Sequence, residues 1–178
     1  KEMEERLARR REELFRQYRV DSEAALPIAF SGVSLQEGEE HGNEVFDHHF
    51  GALFDQYDRQ NRTVQWSALL APTLAANGLS MGLAGTDFAQ HRHFVNAAEA
   101  YRRGIQRTMN GAITANQKPG QVYLAGRELW DQVAPFDYAP PSTGWVLQQY
   151  APALAVLVGW LVIATGLLFR AASTALVD

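Results

Sequence analysis

The chain has 178 residues, a formal net charge of −4 and a sequence pI near 5.7. This acidic balance argues against a nucleic-acid partner, because such a partner requires a basic face. The sequence contains no cysteine, so disulfide bonds and thiolate metal sites are excluded within it, and cysteine usage says nothing about the redox compartment.

The first third of the chain predicts two charged helices. Residues 1–19 place glutamate four residues before arginine three times, a spacing that stabilises an exposed helix. A connector with one helical turn is predicted over residues 21–32. Ser34 and Glu37 have the spacing of a capping box, which predicts a second helix from there to about residue 61. Four apolar side chains at helical spacing are predicted to form its core face: Phe46, Phe50, Leu53 and Tyr57.

The segment from Trp66 to Gly85 contains no charged residue, which raises the question of whether it spans a membrane. Pro72 and several glycines weaken a helix exposed to lipid. A span here would also leave the charged helices on either side of it on opposite sides of the bilayer. We therefore predict a buried hairpin or an interface helix, and the sequence leaves open whether the segment touches the membrane.

Clear start and stop signals follow this segment. Gly85 is predicted to end it, and Asp87 is predicted to cap a helix that continues to about residue 116. A fifth helix is predicted from Val122 to about Val133, followed by a stiff, proline-containing lead. Strand alternation is not convincing anywhere, so the predicted fold class is all-α.

Residues 151–169 predict a membrane span. Between Asp137 and Arg170 the chain has no charged side chain and no histidine. About 20 apolar residues in a helix cross a hydrocarbon layer of about 30 Å, and Tyr138, Trp145 and Tyr150 suit the interfacial aromatic belt. We predict a helical domain over residues 1–140, followed by a transmembrane helix and a short tail over residues 141–178.

The charges around the span predict its orientation. Arg170 is the basic residue nearest to either end of the span, and Asp137 is the nearest charge on the other side. The bias of basic residues toward the cytoplasm then places the first 140 residues outside and the tail inside. The arginines at positions 9–11 argue against this, but they lie far from the span and among glutamates.

Chemistry in this chain would have to rest on histidines and carboxylates. Glu44, His48 and His91 are the candidates for a metal site of the kind that helix bundles build from facing side chains. The paired Glu-x-x-His pattern of such sites is missing, so we predict no metal site. No phosphate-binding loop and no nucleophile motif are present, which predicts no cofactor and no enzymatic activity.

Several sequence runs carry a resemblance to a known family. They are residues 79–88 (LSMGLAGTDF), 91–94 (HRHF), 98–102 (AEAYR) and 39–47 (EEHGNEVFD). With these runs the chain resembles a family of uncharacterised type-two ABC transporter permeases, over most of its length. The resemblance implies an extracytoplasmic, periplasmic helical domain set between transmembrane helices, a final span, and a place in the bacterial inner (cytoplasmic) membrane.

The same resemblance implies the partners. ATP would be hydrolysed by a separate ATPase subunit, so no nucleotide site is expected in this chain. Membrane lipid and upstream or partner transmembrane helices are the other expected contacts, and a homodimer is left open. Because the sequence opens on Lys1 and has one convincing span, we expect pore-forming helices upstream. Neither the substrate nor the direction of transport is implied.

Two other functions are considered from the sequence. One is a single-pass, membrane-anchored sensor or binding module, which the nine residues after Phe169 disfavour because they are too few for an output domain. The other is a membrane-tethered, metal-binding helical bundle. Metal analysis of protein purified without chelator distinguishes the second alternative from the permease.

Overall fold

The computed structural model describes residues 1–175, and the last three residues of the predicted tail lie outside the described part. The chain is 78% helical, and residues 1–175 contain no strand. The prediction of an all-α fold is therefore confirmed. Its α-helices are α1 (Glu2–Tyr18), α2 (Phe30–Ser67), α3 (Pro72–Ala84), α4 (Phe88–Asn116), α5 (Arg127–Trp130), α6 (Thr143–Gln149) and α7 (Ala151–Ala175).

The C-terminal helix is long and apolar enough to cross a membrane. The qualifying stretch runs over Ala151–Thr174, and only 6% of its most apolar window is buried against the rest of the chain. A core helix of a soluble protein would be mostly covered, so this exposure agrees with the predicted span. No other helix among residues 1–175 meets the same criteria.

Contacts divide the chain into two compact units. The first unit consists of Lys1–Gly51 and Ala97–Asp137, and the second consists of Ala52–Asn96 together with the chain from Tyr138 onward. The predicted boundary near residue 140 is a different kind of division, because it marks where the membrane part begins. That boundary stays a prediction.

In the first unit, α2 begins four residues earlier than predicted. Phe30 is its first residue, so Ser34 lies inside the helix and the predicted capping box is wrong. The backbone N–H of Ala29 donates to the carbonyl of Thr114 at 2.8 Å. The start of α2 is thus set by its contact with the end of α4, and a local capping pattern cannot register such a contact.

The predicted core face of α2 is also wrong. Phe50 is 42% exposed, and Leu53 and Tyr57 are exposed to a similar degree. The buried aromatic residue of this stretch is Phe54, whose ring meets that of Phe88 at 5.7 Å between centroids. Helical spacing identifies residues that share a face, but other parts of the chain decide which face is covered.

In the second unit, α3 packs against α7. Ala68, Ala75 and Ala153 form the buried centre of this contact. The end of α2, a turn over residues 68–70 and α3 make a helical hairpin. The hairpin predicted for this segment is present, but the prediction that it is buried is wrong at its tip. The hairpin is covered on one side only, because Leu70 in the turn is 88% exposed.

The predicted stop at Gly85 and the predicted cap at Asp87 are confirmed, whereas the helix predicted after α4 is much shorter than expected. Gly85 has the left-handed φ of 75° that ends α3, and Asp87 accepts a hydrogen bond from the backbone of Gln90 at 3.0 Å. The predicted fifth helix shrinks to Arg127–Trp130, because Leu129 is its one buried apolar anchor. A further helix, α6, was not predicted; the hydroxyl of Ser142 caps it.

Candidate functional site: the junction of Asp87 and Tyr150

A hydrogen-bonded pair of side chains lies within the second unit, at the start of the predicted span. Asp87 immediately precedes α4, and Tyr150 is the residue between α6 and α7. The Tyr150 hydroxyl donates to Oδ2 of Asp87 at 2.6 Å, while Oδ1 of Asp87 accepts from the backbone N–H of Gln90. Asp87 is only 5% exposed, so both oxygens of a buried carboxylate have donors.

Two glycines of α3 form the seat of the tyrosine ring. A Cβ atom at Gly82 would overlap the Tyr150 ring, coming to 2.8 Å from Cδ2. A Cβ atom at Gly78, one turn earlier, would make an ordinary contact at 3.4 Å. The position of the Tyr150 ring therefore requires a glycine at position 82. With the ring packed against Gly82, the Tyr150 hydroxyl lies within hydrogen-bond distance of Asp87.

The electrostatics of the pair keep the tyrosine protonated. Burial raises the pKa of Tyr150 above its usual value, and the hydrogen bond to Asp87 raises it further. Tyr150 is therefore a hydrogen-bond donor at all pH values near neutrality. The arrangement is suited to joining two parts of the fold and does not have the properties of a general acid or base in that range.

A cavity of about 420 Å³ lies beside this junction. Asp87, His91 and the aromatic rings of Phe94 and Tyr138 are among its lining residues. The two rings meet edge to face at 5.1 Å, and the Tyr138 hydroxyl lies 3.0 Å from Nδ1 of His93. The wall is thus a mixture of aromatic and polar groups, built from the start of α4 and the lead into α6.

The first unit contains a network of arginines and carboxylates. Glu99 accepts hydrogen bonds from Arg102 at 2.8 Å and from Arg103 at 2.9 Å. Arg102 also reaches Glu39 of α2, and Arg103 reaches Asp47 of α2 at 2.6 Å. Through these contacts the two arginines connect α4 to α2.

The network predicts that the protein loses stability in acid. The two arginines lower the pKa of Glu99 from 4.5 to about 2, and Glu99 is mostly shielded from solvent. A carboxylate with a lowered pKa stabilises the folded protein fully above pH 4.5. This contribution to the unfolding free energy, up to about 3 kcal/mol, is lost as the pH falls toward 2. Urea unfolding of the solubilised protein between pH 6 and pH 2 measures it. Glu99→Gln should flatten this dependence, and an unchanged slope in that variant would contradict the assignment.

A family model with the description "Domain of unknown function (DUF3526)" matches residues 1–139, well over half of the chain. The chain belongs to this family. No curated protein and no solved structure is a significant match. The DUF3526 region includes Asp87 and its cavity-lining neighbour His91, whereas Tyr150 lies beyond residue 139. The junction therefore joins the DUF3526 region to the part of the chain that follows it.

The candidate metal ligands of the DUF3526 region are engaged in other contacts. Glu44 accepts three hydrogen bonds from Arg6, which lower the pKa of this carboxyl group. The ring of His48 lies edge-on to that of His49 at 5.0 Å, and His91 lies in the cavity wall. Among residues 1–175, no three His, Asp or Glu side chains form a group that could hold a metal ion.

Sequence reasoning identified both members of the junction but not their pairing. It assigned Asp87 to a helix cap and Tyr150 to the membrane interface. The available signal was the spacing of Gly78 and Gly82, which lie four residues apart on one face of α3. Such spacing allows a close approach, but it does not say which distant ring makes that approach.

Removing the hydroxyl of this junction is expected to destabilise the second unit. Tyr150→Phe leaves a buried carboxylate oxygen of Asp87 without its donor, which costs about 1–3 kcal/mol of unfolding free energy. Tyr57→Phe is the matched control, because Tyr57 is 41% exposed, and it should stay within about 0.5 kcal/mol. Urea unfolding of the detergent-solubilised protein, followed by circular dichroism, measures both. Equal effects would refute the role of the hydrogen bond.

Proposed function

We propose that the chain is part of the membrane-spanning permease subunit of a bacterial ABC-type transporter. Its first 140 residues belong to the extracytoplasmic side of the cytoplasmic membrane and mediate substrate passage or partner contact. The proposal starts from the resemblance carried by residues 79–88. One observation supports it most: three residues of that run, Gly82, Gly85 and Asp87, build the junction with Tyr150 at the start of the span.

In this proposal the junction at Tyr150 connects the final span to the outer domain. Gly82 and the hydrogen bond to Asp87 hold Tyr150 from two directions. A displacement of the near end of α7 is therefore passed to α3 and to the start of α4, because packed and hydrogen-bonded elements move together. In this proposal ATP is hydrolysed by a separate subunit, and the energy reaches this part of the chain through the membrane helices.

The proposal is tested by isolating the full-length protein together with an ABC-type ATPase sought in the neighbouring reading frames. Both are co-expressed, this protein is purified through an affinity tag, and the complex is transferred to lipid nanodiscs. We expect the ATPase to co-purify and its ATP hydrolysis rate to depend on the complex. The ATPase of an unrelated transporter from the same organism is the control. A tagged protein that reaches the membrane intact but brings no ATPase contradicts the proposal.

A further inference from the structure

The α2–α3 hairpin is attached to α7 at two heights. At the first, the ring of Tyr150 lies on Gly82 near the end of α3. At the second, the indole Nε1 of Trp160 donates to the carbonyl of Leu69, in the turn before α3, at 3.1 Å. The chain direction is opposite in the two helices, so α3 runs antiparallel to the first half of α7.

These attachments give the depth of the turn when α7 crosses a bilayer. Residues 151–169 form a helix about 28 Å long, which matches a hydrocarbon layer of about 30 Å. Trp160 lies nine residues after Ala151, about 14 Å below the near edge of that layer. Leu69 is bonded to Trp160, so the turn of the hairpin lies close to the middle of the bilayer.

The composition of the hairpin fits this depth. From Thr63 to Thr86 the chain has no charged residue and no histidine. The most exposed apolar side chains of the hairpin are at its tip, where Trp66 is 72% exposed and Leu70 is 88% exposed. Apolar side chains this exposed in water are unfavourable as a cluster, but they are favourable against acyl chains.

The amides of the turn and the carbonyl of Leu69 are paired within the chain, as the hydrocarbon layer requires of backbone polar groups. The amides of residues 68, 69, 70 and 71 donate to carbonyls of residues 64 to 67 at 3.1–3.2 Å. The carbonyl of Leu69 accepts from Trp160, and the hydroxyl of Ser67 donates to the carbonyl of Thr63. A turn in water does not need its hydrogen bonds to be completed in this way.

The last charged residue of α2 also has a suitable position. The ring of Tyr57 lies 5.1 Å from that of Phe88, next to Asp87 and therefore level with Tyr150. Arg62 follows Tyr57 by five residues, about 8 Å deeper along the helix. An exposed arginine at that depth extends its guanidinium back to the lipid headgroups.

We propose that the end of α2, the turn over residues 68–70 and α3 form a re-entrant hairpin. It enters the bilayer from the side of Tyr150, reaches the middle with its tip against acyl chains, and returns along α7. Trp66, Leu69 and Leu70 are the lipid-contacting residues of the tip. The proposal requires that α7 crosses the bilayer, and it is independent of the transporter assignment.

Site-directed spin labelling of the full-length protein tests the hairpin. A single cysteine replaces Leu70 in a protein freed of other cysteines, carries a nitroxide, and is reconstituted in phosphatidylcholine and phosphatidylglycerol vesicles. Collision with oxygen, which dissolves in lipid, is compared with collision with a water-soluble nickel chelate. Val122→Cys is the aqueous control, because Val122 is 82% exposed in a non-helical stretch between Lys118 and Arg127. Leu161→Cys is the control in the middle of the span.

We expect the label at position 70 to match that at position 161, with oxygen collisions dominant, whereas the label at position 122 shows the reverse. A label at position 70 that collides with the nickel chelate like that at position 122 places the hairpin in water and overturns the proposal. A label shielded from both agents shows that protein covers the tip, which also overturns it. A label at position 161 that collides readily with the chelate shows that α7 does not cross the bilayer, and this result also overturns the proposal. None of these readings requires an ATPase, so they are separate from the test of function.

Discussion

Gly32→Ala is expected to lower the unfolding free energy by about 2–4 kcal/mol, the sum of overpacking and a lost backbone hydrogen bond. A Cβ atom at position 32 would overlap the backbone of Thr114, coming to 2.7 Å from its Cα atom. Backbone cannot rotate away as a side chain can, so the start of α2 must separate from the end of α4. That separation also breaks the 2.8 Å hydrogen bond between Ala29 and Thr114.

Gly42→Ala is the matched control for this substitution. Gly42 lies within the same helix, and a Cβ atom there would meet nothing within 4 Å. Alanine favours the helix over glycine by about 1 kcal/mol, so this variant should gain stability while Gly32→Ala loses it. Urea unfolding of the solubilised protein compares the two. Changes of the same sign and size would show that α2 and α4 do not meet as described.

Labelling of single cysteines is expected to give an all-or-none result on the two sides of the membrane. With the first 140 residues outside, a cysteine at Ser22 in the full-length protein reacts with a membrane-impermeant maleimide in intact spheroplasts. A cysteine at Ser173 reacts only after the membrane is opened, because the bilayer excludes a charged reagent. These 178 residues contain no cysteine, and any cysteine elsewhere in the full-length protein is first replaced.

The structure makes the labelling comparison a fair one. Ser22 and Ser173 are both exposed, so burial within the chain limits neither reaction. The unsubstituted protein is the background control, and labelling of both sites after detergent treatment shows that each cysteine is reactive. Labelling at position 173 but not at position 22 in intact spheroplasts would reverse the orientation and remove the extracytoplasmic part of the proposed function.

The sequence determined those features that depend on a few neighbouring residues or on one long run. Gly85 and Asp87 mark the end of α3 and the start of α4, because a left-handed glycine and a capping carboxylate act on the adjacent turn. The apolar run that begins at Ala151 indicates a span, because its length and lack of charge are sufficient for that purpose. The all-α fold follows from the same helical periodicity.

Only the tertiary structure decided what covers each helix face and where each long helix begins. The start of α2 depends on Thr114, about eighty residues away, and the exposure of Phe50 depends on which elements reach that face of α2. The seat of Tyr150 on Gly82 and the bond from Trp160 to Leu69 likewise join residues far apart in the chain. Periodicity and capping act over one or two turns of helix, so pairings over such separations leave no local signal in the sequence.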